Sequence, residues 1–410
     1  MAKSGLLVGL DIGTTKVCVV VGEVTDEGVD IVGIGSGPST GLRKGVVVNI
    51  EQTVKSIKRA LEEAELMADC EIRSVYTGIV GSHIKGMNSH GVIAVTGGEV
   101  TSKDVSRALD AARAIAIPLD REVLHVLPQE YIVDDQWGIA DPLGMAGVRL
   151  EAKVHIVTGA VTCAKNIVRA CQRSGLDVSG IVLEPLASSK ATLTEEEKEL
   201  GVVLVDIGGG TTDISVFCND SIRYTGVLGL GGTHLTNDIA FGLRTPLAEA
   251  EKIKIKQSCA LTSLVDENEI IEVPGVGGRE GRRVSRRVLA EICEPRMEEI
   301  LDLVGQEIMR SGLKKQIGAG AVLTGGASLI EGLPELAEQI LDMPVRLGLP
   351  DYRIGGLRDV VNSPIYSTAV GLLLYGAEKN GASGVDRHDN EEKVFVKMVS
   401  AMRRWFDKAR

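Results

Sequence analysis

The 410-residue sequence is poor in aromatic side chains, with four Phe, two Trp and six Tyr, 3% in all. Its cores must therefore be built from Val, Ile, Leu and Ala. With 49 glycines available for turns, that composition suits layered α/β architecture. Cysteine is present but unpatterned. Seven residues stand at Cys18, Cys70, Cys163, Cys171, Cys218, Cys259 and Cys293, an odd number with no Cys-x-x-Cys among them. A disulfide framework and a zinc site are excluded, and a reducing compartment is expected. No apolar run is long enough to span a bilayer. No secretory signal is expected either, because Asp11 interrupts the apolar stretch near the N-terminus. An excess of basic charge is also missing. The formal net charge is −11, and that balance argues against a nucleic-acid-binding face.

What is there centres on residues 201–216, GVVLVDIGGGTTDISV. The β-branched run 202–205 reads as a buried strand ending at Asp206, and 214–217 as the returning strand. Between them lie Gly208, Gly209, Gly210, Thr211 and Thr212. Glycines let a ligand approach the backbone N–H groups, and a row of such groups forms a concavity for phosphate. Asp206 stands where a carboxylate could hold magnesium through water. In isolation a glycine-rich hairpin with no ligand reads equally well. A second copy tips the balance: residues 6–22, LLVGLDIGTTKVCVVVG, repeat strand, Asp-Ile-Gly, Thr-Thr and strand. Asp11 matches Asp206, and Lys16 stands near the expected phosphate, where a cation neutralises charge. Two such hairpins point to two similar half-molecules facing each other across one nucleotide.

Along the chain, the pattern predicts strands over 1–35, a helix over 50–68, and an α+β block over 72–162 with one clear helix at 101–115. An amphipathic segment follows at 163–174, then a strand at 181–183 and a helix at 186–193. After the central hairpin, helices are expected over 237–242, 247–256, 288–311, 333–341 and 364–375, with a strand at 321–323 before Thr324-Gly325-Gly326. Residues 377–392 are polar and glycine-bearing and read as a flexible linker.

Four stretches, VGLDIGTTKV, VLEPLAS, LVDIGGGTTDI and VLTGGAS, occur in this order. Together they resemble the pattern of the actin-like ATPase superfamily, which includes chaperones and sugar kinases. Within it, AELMADC, PQEY, VLTGGASLIEGL and YSTAVGLL make the whole chain similar to the FtsA family of bacterial cell-division proteins. The resemblance implies an α/β, actin-like (ribonuclease H-like) fold of two lobes with duplicated βββαβα cores, a nucleotide cleft between them, and a small α+β inserted domain. It also implies boundaries: domain 1A over 1–83, 163–195 and 364–376; domain 1C over 84–162; domain 2A over 196–227 and 306–363; domain 2B over 228–305.

By the same resemblance, ATP and Mg2+ are the cofactors. Gly13, Thr14, Thr15 and Lys16 match the first phosphate loop, and Gly208, Gly209, Gly210, Thr211 and Thr212 the second. Asp11 and Asp206 match the magnesium-organising aspartates, acting largely through water. Gly325, Gly326 and Ala327 match the adenosine motif, and Glu251 and Lys254 the ribose or adenine contacts. On sequence grounds alone the Glu251–Lys254 helix reads as a solvated charged face. Glu184 matches the position that orients the attacking water. Many family members lack an acid there, so at most weak ATPase activity is implied, and a strand-end glutamate before a helix-starting proline is the alternative. Domain 2B is the implied face for the C-terminal peptide of FtsZ, with Arg286 and Arg296 as contacts beside an ordinary-surface alternative. Polymerisation, recruitment of later division proteins through domain 1C, and a site on the cytoplasmic face of the inner membrane at the division site complete the implied role.

The C-terminal segment carries a signal of its own. On a helix of roughly 100° per residue, Val394, Phe395, Met398, Val399, Met402, Trp405 and Phe406 fall within one arc of roughly 140°. Lys393, Lys397, Arg404 and Lys408 fall opposite. Residues 393–410 hold six Lys or Arg against one Asp. A basic amphipathic helix with Trp and Phe on its apolar face suits the surface of an anionic bilayer. Two other functions fit parts of the pattern. A pilus-assembly-type adaptor of the same superfamily would act elsewhere. A small-molecule kinase would need a substrate pocket with its own base, for which no motif is present.

Overall fold

The computed structural model describes residues 5–25, 28–350 and 354–382. Val394, Phe395, Met398, Val399, Met402, Trp405 and Phe406 lie outside the described residues, as does most of the segment read as a linker.

Two sheets repeat one topology. In the first lobe, Leu6–Ile12, Lys16–Thr25 and Gly28–Pro38 form an antiparallel meander. Ser74–Ile79 then pairs in parallel with Leu6–Ile12, and Asp177–Leu183 in parallel with Ser74–Ile79. In the second lobe, Val202–Ile207, Thr212–Cys218 and Ser221–Leu228 form the meander. Gly320–Thr324 and Val345–Leu347 extend it in parallel on the side of Val202–Ile207. Both sheets thus run third, second, first, fourth, fifth strand. Ile354–Gly356 returns to the first lobe and pairs with Gly28–Pro38, so the chain closes on the lobe where it began. This is the two-lobed, duplicated α/β actin-like architecture.

The first strand of each meander is apolar throughout because both faces are covered. Val203, Val205 and Ile207 enter the large core of the second lobe, while Val202 and Leu204 pack on the opposite face with Leu193 and Phe217. A strand buried on both sides reads as a continuous apolar run rather than an alternation. In the first lobe, Ile50–Ala68 is the covering helix. Asn49 caps it by accepting a hydrogen bond from the Gln52 N–H at 3.1 Å, and Val54, Ile57, Leu61 and Ala64 face the sheet.

Between the fourth and fifth strands of the first lobe sits the inserted block. Lys85–Ala94, Arg149–Ala160, Arg121–Val133 and Gln136–Ile139 make a four-stranded sheet, covered by Ser102–Arg113. Thr101 and Asp104 form a reciprocal capping box at the start of that helix. The block also touches the second lobe: Gln129 Nε2 donates to Ile222 O at 2.9 Å, and His155 Nε2 lies 3.0 Å from Thr225 Oγ1.

Four local expectations are corrected. The last helix is Ser367–Ala382, so its apolar face carries it into residues 377–382, read from sequence as the start of the linker. The long helix begins at Arg286, two residues early, because Ser285 caps it by accepting from the Arg287 N–H. Gly232–Gly242 starts five residues before the expected Asn237, since its first turn is held by backbone bonds rather than by apolar spacing. Glu184 is the first residue of helix Glu184–Thr192 rather than the end of a strand.

Candidate functional site

The two hairpin turns are built alike. The Gly13 N–H donates to Lys16 O at 2.9 Å, and the Gly208 N–H donates to Thr211 O at 3.0 Å. Asp11 faces Cys18 across its hairpin, and Asp206 faces Asp213 at the equivalent place. The turns meet between the lobes. A Cβ on Gly209 would lie 2.5 Å from Thr15 Oγ1, and one on Gly210 would lie 2.6 Å from Thr14 Oγ1. Only glycine lets the second turn come this close to the first.

The third motif arrives under the second hairpin. Strand Gly320–Thr324 runs parallel to Val202–Ile207 and ends at Gly325, whose φ is +84°. A Cβ there would lie 2.3 Å from Asp206 Oδ1 and 2.6 Å from Ile207 O. Gly326 and Ala327 follow in a short turn, with Ala327 Cβ against Gly232. Helix Gly232–Gly242 closes the same corner: the Gly232 N–H donates to Gly208 O at 2.9 Å and the Thr233 N–H to Gly209 O at 2.8 Å. Lys254 is buried here and donates to Gly232 O (3.2 Å), Thr236 Oγ1 (3.0 Å) and Glu251 Oε2 (2.8 Å). Glu251 and Lys254 are thus brought to the edge of the glycine-lined corner, and the Lys254 ammonium is occupied by protein acceptors.

The site is short of positive charge. Burial pushes the Asp11 carboxyl up to about 6, with Lys16 opposing and Asp206 adding to the rise. Asp206 is raised by burial, against the pull of hydrogen bonds from Ser188 and Thr368 and of Lys16. Asp213 lies well above the usual carboxylate range through burial and then Asp206, and its Oδ1 is buried without a hydrogen-bond partner. Glu184, against Gly78 of the neighbouring strand, is pushed well above its ordinary value by burial and then by Asp11, Asp213 and Asp206. The cation among them, Lys16, has its ammonium on the carbonyl of Ile365 and 4.6 Å from the centre of the Tyr366 ring. Among the described residues no three carboxylate, imidazole or thiolate groups converge closely enough to hold a metal directly.

The Asp11 shift has a pH consequence. A carboxyl raised from 3.8 to about 6 on folding stabilises the fold fully below 3.8 and loses that contribution as pH rises through 6. Without nucleotide or metal, the parent should lose about 2 kcal/mol more stability across this window than Asp11→Asn. Chemical denaturation of both at either end of the window checks this. Equal losses would place the Asp11 shift elsewhere.

The expected partner-binding arginines lie apart from the cleft. Arg286 donates from Nη1 to Glu269 (2.8 Å), from Nη2 to Glu331, and from Nε to Gln257 O (2.9 Å). Arg296 is bidentate on Asp238, at 2.5 and 3.1 Å, and also contacts Glu299. Both forks are already engaged by carboxylates of the same chain. Sequence reasoning assigned no role to Ser188, Thr368 or Asp213, although all three lie inside motifs it quoted. It also missed the corner at Gly231–Gly232, for which the cluster 229–232 (GLGG) was the available signal.

Comparison with known proteins follows the same lines. Residues 203–371 match the family model "Cell division protein FtsA", and residues 81–158 match "SHS2 domain inserted in FTSA". The cell division protein FtsA of Pseudomonas aeruginosa is 54% identical over 98% of this chain and 97% of its own. Among solved structures, the PilM-PilN type IV pilus biogenesis complex superposes with a TM-score of 0.64 at 18% identity, over 92% of this chain and 99% of that one. MreB5 of Spiroplasma citri bound to ADP superposes with a TM-score of 0.56 at 14% identity, over 94% and 99%. At these identities the structural likeness is one of fold.

Proposed function

The chain belongs to the FtsA family of cell division proteins, and from that premise we propose that it binds ATP with magnesium between its two hairpins. The observation that carries this reading is the duplicated Asp-x-Gly turn, with identical internal hydrogen bonds, meeting its copy across the lobes. The residues fit the pair. Gly13 to Lys16 and Gly208 to Thr212 would cradle the phosphates, Asp11 and Asp206 would hold the hydrated ion, and Gly325 to Ala327 with Glu251 and Lys254 would border the adenosine. Magnesium would supply the positive charge that the raised carboxylates and the unpartnered Asp213 Oδ1 lack. Glu184 is the candidate for orienting water. Burial and three acidic neighbours push its carboxyl above the ordinary range, the direction in which a carboxylate becomes a stronger base for water.

In this role the protein polymerises, tethers FtsZ to the cytoplasmic face of the inner membrane through residues 393–410, and recruits later division proteins through domain 1C, residues 84–162. Domain 2B, residues 228–305, is the FtsZ face, with Arg286 and Arg296 sharing their forks between internal carboxylates and an acidic peptide. No helix among the described residues is long and apolar enough to cross a membrane. Titrating the C-terminal peptide of FtsZ into the full chain tests the face. Arg296→Glu should weaken binding at least about tenfold and flatten its salt dependence. Equal binding by parent and variant would remove Arg296 as a contact, and no binding by the parent would remove the face itself.

A further inference from the structure

The last helix begins inside the nucleotide site. Ser188 Oγ, fully buried, donates to Asp206 Oδ2 at 2.8 Å. Thr368 Oγ1 lies 3.0 Å from Ser188 Oγ and 3.4 Å from the same carboxylate oxygen. One residue earlier, Ser367 Oγ accepts a 2.7 Å hydrogen bond from Thr324 Oγ1, at the end of the strand that leads into Gly325. Two residues before that, the carbonyl of Ile365 receives the ammonium of Lys16. One turn, residues 365–368, therefore touches the first hairpin, the second hairpin and the third motif. The contact is held in place by packing. Helix Ser367–Ala382 crosses helix Glu184–Thr192 so closely that a Cβ on Gly371 would lie 1.9 Å from Ala187 O.

We infer that Thr368 and Ser188 are positioning residues for Asp206, so that the first turn of the last helix is part of the metal and nucleotide site. The chemistry is specific. A carboxylate that acts on a hydrated ion must present a fixed oxygen, and an oxygen that already accepts from Ser188, with Thr368 behind it, is fixed in place. The other oxygen, Oδ1, faces Gly325. Occupancy of the site is then felt at the start of the helix that leads toward residues 383–410. The inference rests on the ATP and magnesium reading above and adds to it which hydroxyls set the geometry.

The test uses the full chain and ATP binding titrated with magnesium chloride. Thr368→Val keeps shape and removes the hydroxyl, Ser188→Ala removes its partner, and Thr368→Ser restores a hydroxyl. The first two should raise the magnesium concentration for half-saturation by about tenfold, as loss of an outer-shell partner does. Thr368→Ser should titrate like the parent. In parallel, ATP with magnesium should slow amide hydrogen exchange over residues 366–372 in the parent and fail to do so in Thr368→Val. If the parent binds ATP while Thr368→Val and Ser188→Ala titrate as it does, the hydroxyls do not position Asp206. If exchange over 366–372 is unmoved by ATP in the parent, the turn is not part of the site. A parent that does not bind ATP with magnesium at all overturns this inference together with the reading beneath it.

Discussion

Gly325→Ala is expected to weaken ATP binding about a hundredfold while the chain still folds. The alanine Cβ would arrive 2.3 Å from Asp206 Oδ1 and 2.6 Å from Ile207 O, both fixed by the central strand of the second sheet. The position also has φ of +84° and ψ of 164°, a region essentially confined to glycine, where an L side chain is strained by roughly 1–3 kcal/mol. Overpacking a rigid contact adds about 1–3 kcal/mol. The relief available is to move the Asp206 carboxylate or the Gly325 turn, and either displaces a group the nucleotide needs. A loss of about 3 kcal/mol corresponds to roughly a hundredfold in affinity. Titration calorimetry with ATP and magnesium reads it, with far-UV circular dichroism as the check on folding. Unchanged affinity would mean that Gly325 does not border the nucleotide.

Truncation after Asp389 should release the protein from anionic vesicles without loss of ATP binding. Burying a large apolar side chain in the interface yields roughly 1.5–3 kcal/mol. Ordering each residue of the tail opposes this by about 1–2 kcal/mol. For a single short helix the two nearly cancel, so one tail binds weakly and reversibly. A polymer presenting many tails binds far more tightly through effective concentration. Co-sedimentation with phosphatidylglycerol-containing vesicles should therefore be strong for the parent under polymerising conditions and lost on truncation. Trp405→Glu, which puts a charge into the apolar arc, should act in the same direction. Truncated protein that sediments as the parent does would show that the anchor lies elsewhere.

The parts of the fold visible in the sequence are those whose signal is local. The first strand of each hairpin is apolar because both faces are buried, and its turn must be Asp-x-Gly with small residues, so both copies stood out. The helix Ile50–Ala68 was legible because one face is sheet-bound and Asn49 caps it. Ser221–Leu228 was missed because this edge strand carries Arg223, Tyr224 and Thr225, polar side chains whose partners lie far away in sequence: Gln129 O for Arg223, Glu307 for Tyr224 and His155 for Thr225. Val345–Leu347 and Ile354–Gly356 were missed because strands of three residues have no periodicity to read. The strand Lys85–Ala94 was recognised only from Gly91 because its first half is largely exposed. At the site, the glycines and the two aspartates could be found from spacing. The hydroxyls of Ser188 and Thr368 could not, since they are far apart in sequence and only the crossing of two helices brings them to one carboxylate.

The same geometry explains why Arg286 and Arg296 looked more available than they are. Their partners Glu331 and Asp238 lie dozens of residues away, so a linear reading sees unpaired forks. An acidic peptide would compete with these partners, which would make binding sensitive to salt.

The most direct measurement of the central claim is ATP titration of the parent chain in magnesium buffer and again in excess chelator. Binding between the duplicated hairpins requires that a cation offset the buried Asp11, Asp206 and Asp213. Saturable, one-to-one binding with magnesium, sharply weakened when the ion is removed, is therefore expected. Equal affinity with and without magnesium, or no saturable binding in either buffer, would contradict it.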